Sequence, residues 1–233
     1  MELGFVKKIA KSYRNTTGVL MLDAVTPVIE ALFKSFDLDK SVPGNGEAYV
    51  ASLVGSASKS WDLVIDRLAN YAKSIVLEIP RIEGRVHGEQ LLIALAKHFG
   101  VESDERLDNV LGQLSCEENA GIEELCQLAE ILDDGHGLRG FKLETSVHCS
   151  KPWLFEFGGA GEYHGKHVSI SVCSKYALNL GTALEAAIGS SDLDKAGQIL
   201  AKKCMDLISS IRDQGTRTAV RTQVLALLEK ESE

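Results

Sequence analysis

Proline and aromatic residues are scarce in this chain, which has 4 prolines and 6% aromatic residues among 233 positions. Long apolar runs are missing as well, and none comes near the roughly 20 residues that a membrane-spanning helix requires. The N-terminal stretch MELGFVKKIAKSYRN carries charges where a signal peptide has an apolar centre. We therefore expect a soluble, cytoplasmic protein without a membrane partner.

Cysteine is present in an odd number and without a CxxC pair. The 5 cysteines are Cys116, Cys126, Cys149, Cys173 and Cys204. Such a pattern is typical of reduced thiols in an intracellular protein. The chain is 45% hydrophobic and 25% charged, as in ordinary globular proteins. At this length a hydrophobic core is stable without disulfides or metals.

Acidic residues are concentrated in one part of the chain, whose net charge is −8 overall. Between Glu102 and Asp134 the only basic residue is Arg106. One interpretation is a solvated helical face. The other is a docking surface for a basic protein partner, whose approach such a field would accelerate. The residues expected to carry that contact are Glu117, Glu118, Glu123 and Glu124.

Apolar residues recur at helical spacing through most of the chain. The predicted helices span about 3–13, 17–36, 47–57, 61–77, 87–99, 104–114, 118–133, 175–188, 191–213 and 216–230. Gly100 and Gly135 lie just beyond predicted helix ends, where glycine is the expected stop. Pro27 lies inside the second helix and would end or kink it, unless that helix begins near the proline.

The predicted helix 191–213 has a wide apolar stripe that includes Leu193, Leu200, Cys204 and Leu207. The stripe either packs within the chain or pairs two copies of it as a homodimer. Its length is close to the minimum for a coiled coil, so both interpretations stay open.

The segment 135–174 is the only part of the chain that does not read as helix. Apolar and polar residues alternate there, as in strands with one buried face. We predict a three-stranded antiparallel meander over about 141–173, packed on helices. The fold class is then α+β and predominantly helical. We expect a single domain, 1–233, with a helical subregion 1–134, the meander 135–174 and C-terminal helices 175–233.

The predicted strand register separates several reactive side chains. A turn at 150–152 pairs Cys149 with Trp153, and the third strand pairs Phe157 with Val168. Cys149 then points away from both His148 and Cys173, which excludes a catalytic dyad and a disulfide. Glu144 and His167 would flank Gly158 on the polar face, where the two side chains can lean together.

The Gly-rich segment Gly158–Lys166 is predicted to be a hairpin loop. It lacks the helix-opening Lys-Ser/Thr of a phosphate-binding loop and the strand–helix context of a dinucleotide site. Its residues Tyr163 and His164 are candidates for contact with a partner, because exposed loops often carry binding. A flexible loop without a partner is the alternative.

Two histidines and a glutamate at the end of this segment suggest a metal site. Glu162, His164 and His167 are residue types that bind zinc, and His148 is a possible fourth ligand. HExxH is absent. A metal-dependent hydrolase on the meander is therefore an alternative function, with zinc as the only cofactor considered.

Residues 93–111 faintly resemble a helix-turn-helix DNA-binding unit. Ala96, Gly100 and Val101 fall where that unit has its alanine, turn glycine and following apolar residue. Leu107 comes one position late, and the second helix carries Asp104 and other acids that DNA phosphates repel. The resemblance implies a weak DNA-binding regulator.

The leading functional expectation is a non-enzymatic protein-interaction or regulatory module. It would act through the acidic face and the Gly-rich loop, perform no catalysis and need no cofactor. As an inhibitor, it would compete with nucleic acid for a basic partner protein. The hydrolase and the DNA-binding regulator are the alternatives.

Overall fold

The computed structural model describes residues 12–39, 46–52, 58–82, 85–149 and 158–230. Its strands are β1 (Ser12–Met21), β2 (Glu47–Ser52), β3 (Ser58–Ser60), β4 (Arg81–Ile82), β5 (Arg85–Val86), β6 (Asn119–Gly121), β7 (Gly140–Cys149), β8 (Gly158–Gly165) and β9 (Ser169–Cys173). Its α-helices are α1 (Pro27–Phe33), α2 (Trp61–Ser74), α3 (Gly88–Phe99), α4 (Glu105–Cys116), α5 (Ile122–Ile131), α6 (Ser174–Gly189), α7 (Leu193–Ser209) and α8 (Gln214–Lys230). A 3-10 helix, Lys34–Phe36, follows α1. Helices and strands are mixed, so the predicted α+β class is confirmed.

The main sheet corrects the predicted meander. It has five antiparallel strands in the order β2-β1-β7-β8-β9, not three. The pairs β3–β6 and β4–β5 form two small two-stranded sheets. Nine strands are thus described where the sequence analysis predicted three.

The first two strands were wrongly predicted as helices. In β1 and just after it, Thr16, Leu20 and Leu22 are buried, and they share one face at a spacing of two. The apolar run from Val19 to Leu22 is short, and such a run does not distinguish helix from strand. The predicted helix 47–57 begins as β2, paired antiparallel with β1. The predicted helix 3–13 lies mostly outside the described residues.

The hairpin of β8 and β9 replaces the predicted Gly-rich loop. Gly158–Gly165 is a strand, and its residues pair with β9 in the register Ala160↔Cys173, Glu162↔Ser171 and His164↔Ser169. The connection is the short segment 166–168, where the Gly165 N–H donates to the Val168 carbonyl at 2.9 Å. The predicted second strand, 153–157, lies outside the described residues. The register predicted for the third strand was wrong, because β9 pairs with β8, with Ile170 opposite Tyr163 and Val172 opposite Gly161.

The chain divides into two compact units. One is Arg14–Gly140, called here the acidic unit; the other combines Met1–Tyr13 with Phe141–Glu233 and is called the C-terminal unit. The acidic unit carries 21 acidic and 11 basic residues, a net charge of −10, and the remainder of the chain has 12 acidic and 14 basic residues. The single domain predicted from the sequence stays a prediction.

The core of the acidic unit is built from its helices. Side chains at helical spacing are fully or almost fully buried on α2, α3 and α5, among them Val64, Leu68, Leu91, Leu95 and Leu125. The start of α2 is capped by Ser60, whose hydroxyl accepts from the Asp62 N–H at 3.2 Å. Helix α3 ends at Gly100, which has a φ of 71°, as the sequence predicted.

The segment after α5 is a structural turn built around His136, which is only 1% exposed. Its Nε2 lies 2.9 Å from the Ala129 carbonyl oxygen, and its Nδ1 accepts from the Leu138 N–H at 2.9 Å. Nδ1 is therefore the unprotonated nitrogen, and Nε2 carries the proton that Ala129 accepts. The ring ties the end of α5 to the chain that enters β7.

The C-terminal unit buries its helices much less. Only Ala187, Ala196 and Ile208 are buried in the described parts of α6 to α8, and α8 has no buried residue. Large apolar side chains of all three helices are exposed. The helices of the C-terminal unit are therefore unusual in the number of large apolar side chains that they expose.

No helix in the described residues has both the length and the apolar character needed to cross a membrane.

Candidate functional site

The acidic unit contains an open groove between α2, the start of α3 and the end of α4. Its volume is about 620 Å³, within the range of ligand-binding sites. We call it the acidic groove. Its described lining residues are Asp62, Ile65, Asp66, His87, Gly88, Glu89, Gln90, Leu111, Leu114 and Ser115.

Helix geometry places carboxylates on one wall of the groove. Asp62 and Asp66 are four residues apart on α2, so they lie on the same face one turn apart, and both are exposed. Glu89 lies in the first turn of α3, where a carboxylate is favoured by the helix dipole. Three carboxylates therefore surround the opening.

Apolar side chains also line the groove, together with His87, Gln90 and Ser115. Ile65 from α2 and Leu111 and Leu114 from α4 contribute to the lining. Gly88 allows their close approach, because a Cβ at this position would lie 3.0 Å from Leu114 and 3.1 Å from Ile65. The groove thus combines an apolar surface with an acidic rim.

The charge of the rim is not balanced within the groove. The described lining includes no lysine or arginine. Like charges at i and i+4 on a helix destabilise it by a few tenths of a kcal/mol. A bound cation between Asp62 and Asp66 would relieve that repulsion, so the groove favours ligands that carry positive charge.

The predicted acidic face is partly neutralised by its single base. Arg106 donates to Asp104 at 2.7 Å and to Glu130 at 2.9 Å. Asp104 also caps α4, accepting from the Arg106 N–H at 2.9 Å. The hydrogen bonds from the Arg106 side chain are the largest cause that lowers the pKa of Asp104 below its ordinary value.

Replacing Asp104 by alanine is expected to destabilise the acidic unit by about 1 kcal/mol, the usual contribution of an N-cap. Asp104→Asn keeps the cap and loses only the charge, so its cost is smaller. The pKa of Asp104 is lower in the folded than in the unfolded protein, where it is about 3.8. The charge of Asp104 therefore stabilises the fold fully at pH values above 3.8. That stabilisation is lost as the pH falls through the folded pKa. Urea midpoints of wild type and Asp104→Asn should therefore converge in acid; a constant gap would contradict the assignment.

The four predicted partner-binding glutamates lie around the connection from α4 to α5. Glu117 and Glu118 follow α4 and are exposed, and Glu123 and Glu124 occupy the first turn of α5. Glu123 is exposed and Glu124 is half-buried. The two in α5 also stabilise their own helix, since carboxylates are favourable at a helix N-terminus. They lie within eight residues of one another along the chain, and none of them is among the described lining residues of the acidic groove.

Cys126 shows the electrostatic effect of these acids. It is buried on α5, and burial raises the pKa of its thiol well above the ordinary value, with Glu130, Glu123 and Glu124 adding to the effect. A thiol in this environment is unreactive. All five cysteines are free thiols.

Tyr163 and His164, the other predicted partner-binding residues, lie on opposite faces of β8. Tyr163 is 41% exposed, whereas the His164 side chain is only 12% exposed. Adjacent strand residues point to opposite sides, so one flat partner surface cannot cover both. Of these two side chains, only Tyr163 lies on the exposed face of β8.

His164 is held by its own unit. Its ring stacks on Phe141 with centroids 4.4 Å apart. Its Nδ1 lies 2.8 Å from the Ser169 hydroxyl, and its Nε2 lies 3.9 Å from a Glu162 oxygen. His148 likewise stacks on Tyr13 at 5.2 Å.

The Ser169–His164–Glu162 arrangement has the residue types of a nucleophilic triad, but its geometry favours a structural role. The His–Glu distance exceeds the 2.6–3.2 Å of a hydrogen bond that orients a catalytic base. His164 and Ser169 are direct cross-strand partners, and such pairs stabilise sheets. The His164 ring and the Ser169 hydroxyl therefore stabilise the pairing of β8 with β9.

The predicted zinc ligands are not assembled as a site. Glu162 and His164 share a face of β8, and His167 lies in the exposed turn beyond that strand. Among the described residues, no group of three or more His, Cys, Asp or Glu side chains is placed to hold a metal ion. The predicted row of Glu144 and His167 either side of Gly158 was wrong, because Gly158 begins β8 and His167 lies in the turn beyond the other end of that strand.

The segment that resembles a helix-turn-helix forms α3, the turn at Gly100 and α4. Ala96 is buried and Gly100 adopts the left-handed conformation. The exposed side chains of α4 include Glu105 and Asp108, and Arg106 is occupied by two carboxylates. This surface repels nucleic-acid phosphates.

Sequence reasoning missed the acidic groove because its residues come from three separate helices. One signal was available: Asp62 and Asp66 stand at i, i+4 on a predicted helix. Glu89, Leu111 and Leu114 join them only through tertiary packing. Comparison with protein-family models, curated proteins and solved structures finds no match to this chain.

Proposed function

We propose that the protein is a non-enzymatic interaction module whose acidic unit binds a basic, amphipathic segment of a partner protein in the acidic groove. The observation that carries the proposal is the lining itself: three carboxylates and three large apolar side chains contribute to it, without a lysine or arginine among the described lining residues. A partner helix with leucines on one side and lysines or arginines on the other matches both features.

The shape of the groove supports a helix or a short extended segment as its ligand. Peptide helices bind in grooves through apolar anchors at i, i+3, i+4 and i+7. Leu111, Leu114 and Ile65 provide an apolar surface for such anchors, and the carboxylates lie where flanking basic side chains would reach. Anchors supply affinity, and the charges supply orientation and selectivity.

The net charge of the acidic unit supports electrostatic attraction of such a partner. Its 21 acidic residues exceed its 11 basic residues, so its field extends beyond the groove. Fields of this kind accelerate association and weaken as salt is added. A regulator that competes with nucleic acid for a basic protein would use this attraction.

A labelled synthetic peptide tests the proposal directly. The probe is a helical peptide with leucines at i, i+3, i+4 and i+7 and lysines elsewhere; in the comparison peptide, glutamates replace the lysines. Fluorescence anisotropy is expected to show salt-sensitive binding of the lysine peptide to the full chain. Asp66→Lys combined with Glu89→Lys is expected to weaken binding at least about 10-fold, because two charge reversals inside the site cost at least ~1.4 kcal/mol.

The matched control is Glu78→Lys combined with Glu102→Lys. It changes the net charge equally at two exposed positions outside the groove lining, so only the weaker long-range effect of charge on binding is expected. Equal weakening by both pairs would show that net charge alone attracts the peptide and would refute the groove.

A second set of variants separates the groove from the α4–α5 connection. Reversal of Glu117, Glu118, Glu123 and Glu124 to lysine tests the surface predicted from the sequence. Loss of binding in this variant, with the Asp66→Lys, Glu89→Lys variant unaffected, would place the partner on the connection instead. Circular dichroism confirms that each variant is folded.

A further inference from the structure

Helix α7 carries large apolar side chains that are exposed to solvent. Leu193 is 71% exposed, Leu200 50% and Leu207 55%. Cys204 is exposed on the same face. A Cβ placed on Gly197 would meet nothing within 4 Å. We call these five residues the α7 stripe.

The residues of the α7 stripe are distinct from those that pack within the unit. On α7, Ala196 and Ile208 are buried and Ile199 is half-buried, and these contacts hold α7 against its neighbours. Burial of one face normally leaves a polar opposite face on a surface helix. The α7 stripe lies between Ala196 and Ile208 around the helix and has three exposed leucines, so a monomer would expose them to water at considerable cost.

The spacing of the α7 stripe is that of a coiled-coil seam. Its residues recur along α7 at intervals of three and four: Leu193, Gly197, Leu200, Cys204 and Leu207. Alternating three- and four-residue spacing keeps a seam facing a neighbouring helix. The occupant predicted by this spacing is another helix.

We infer that the occupant is a second copy of this chain, bound through α7 in an antiparallel orientation about a two-fold axis near Lys202. This inference does not depend on ligand binding in the acidic groove. Around that axis the stripe forms two consecutive layers, in which Gly197 and Leu200 face Leu207 and Cys204 of the partner subunit. The two-fold axis generates a second, identical copy of each layer.

Size complementarity supports self-association. Gly197 lies opposite a leucine, and Cys204 also lies opposite a leucine, so a small residue faces a large one in both layers. Such alternation allows facing helices to interdigitate without voids. A two-fold interface requires a surface that is complementary to itself, and the stripe meets that condition.

Charge selects the antiparallel orientation. Asp192 and Asp194 lie at the start of α7, and Arg212 lies just past its end. Antiparallel pairing places Asp192 beside the partner subunit's Arg212, with the two helix dipoles opposed. Parallel pairing would place Asp192 and Asp194 of both copies together at the start of α7, which is unfavourable.

The neighbouring helices offer additional apolar area. Stable interfaces bury about 800 Å² on each partner, more than one stripe of about 25 Å in length provides. Leu178 and Ile188 on α6 and Leu225 on α8 are each more than half exposed. These side chains add exposed apolar area to the C-terminal unit beyond that of the α7 stripe.

Sedimentation analysis of the full chain tests the inference. The wild-type chain is expected to sediment as a dimer at micromolar concentration. Leu200→Asp combined with Leu207→Asp is expected to weaken dimerisation at least about 100-fold, since two central apolar contacts become charged. Leu63→Asp is the control, because Leu63 is also 50% exposed but belongs to α2; this variant should remain dimeric.

Thiol cross-linking tests the orientation without relying on the aspartate variants. All chains carry Cys116→Ser and Cys173→Ser, which remove two other exposed thiols. A chain with Leu200→Cys and Cys204→Ser is mixed with a chain that retains Leu200 and Cys204. In the antiparallel layer the introduced thiol lies beside the partner subunit's Cys204, so a mixed disulfide is expected.

The same experiment can contradict the inference. In the antiparallel arrangement the two Cys204 residues are displaced by about 6 Å along the axis, in addition to a helix separation of about 8–10 Å. That separation is too large for a disulfide. A Cys204–Cys204 disulfide as the main product would establish parallel pairing. A monomeric wild-type chain, or a dimer unaffected by both aspartates, would overturn the α7 interface.

Discussion

Replacing His136 by leucine is expected to lower the free energy of unfolding of the acidic unit by about 3 kcal/mol. The variant leaves the Ala129 carbonyl and the Leu138 N–H without their partner at a site where the ring is only 1% exposed. An unsatisfied buried polar group costs about 1–3 kcal/mol, and here two are created together. Urea unfolding followed by fluorescence and circular dichroism measures the effect.

Two conservative variants separate the contributions of the two hydrogen bonds. His136→Gln can retain a donor for Ala129, and His136→Asn can retain an acceptor for Leu138, so each is expected to be less destabilising than leucine. His167→Leu is the control, because His167 is exposed and its change should stay within about 0.5 kcal/mol. Equal stability of the His136→Leu variant and wild type would contradict the buried hydrogen-bonding role.

Replacing Asp134 by alanine is expected to destabilise the acidic unit by about 2 kcal/mol. Its carboxylate accepts from the Thr26 hydroxyl at 2.5 Å and from the Val28 N–H at 3.1 Å. Thr26 precedes α1 and makes no side-chain cap of its own. Asp134 therefore supplies the cap from more than one hundred residues away in sequence, and charged acceptors are stronger than neutral ones.

The adjacent aspartate provides a matched control for that prediction. Asp133 accepts only from the nearby Gly135 N–H among the hydrogen bonds described for it, and its side chain is 58% exposed. Asp133→Ala is therefore expected to cost less than half as much as Asp134→Ala, by the same denaturation measurement. Similar costs for the two variants would show that the long-range cap contributes little.

Tyr71 gives an independent measure of the Asp134 charge. Burial is the larger cause that raises the pKa of Tyr71 above 10.0, and the charge of Asp134 raises it further. Removing that charge in Asp134→Asn is expected to lower the Tyr71 pKa towards its ordinary value. Ultraviolet absorbance titration follows the phenolate; an unchanged Tyr71 titration in the variant would contradict the electrostatic coupling.

These long-range contacts give the Asp133–His136 turn a structural role. The sequence suggested a helix terminus followed by a turn, and the structure adds contacts to α1, to α5 and to the residues after β1. The Asp23 N–H donates to the His136 carbonyl at 2.8 Å, and Arg139 pairs with Asp23 at 3.0 Å. Residues of these types often form catalytic sites, but here their polar atoms are used to join helices and strands.

Helices with strong amphipathic patterns and local caps were predictable. Helices α2, α3 and α4 lie close to their predicted ranges, because Ser60, Gly100 and Asp104 provide start and stop signals within the local sequence. Pro27 is the first residue of α1, so the helix begins at the proline and is not kinked by it. Apolar runs of four to six residues in β1 and β2 contained no comparable signal.

The strands at 158–173 show why a glycine-rich segment was mistaken for a loop. Gly159 tolerates the close approach of the Thr145 carbonyl, since a Cβ there would lie 2.9 Å from that oxygen. The close approach of a neighbouring strand therefore explains glycine at this position, whereas composition alone suggested a flexible loop. Tyr163 and His164 point to opposite faces because this segment is a strand, which the glycine-rich pattern did not predict.

The amino-acid sequence by itself determined the mixed α+β class, the concentration of acid in one region, the apolar stripe on α7 and most helix boundaries. These properties depend on composition and on residues a few positions apart. Only the tertiary structure decided the five-stranded sheet, the cap donated by Asp134 and the convergence of Asp62, Glu89 and Leu114 on one groove. Each of these joins residues distant along the chain, and their contacts depend on how whole helices and strands pack, a property that local periodicity does not encode.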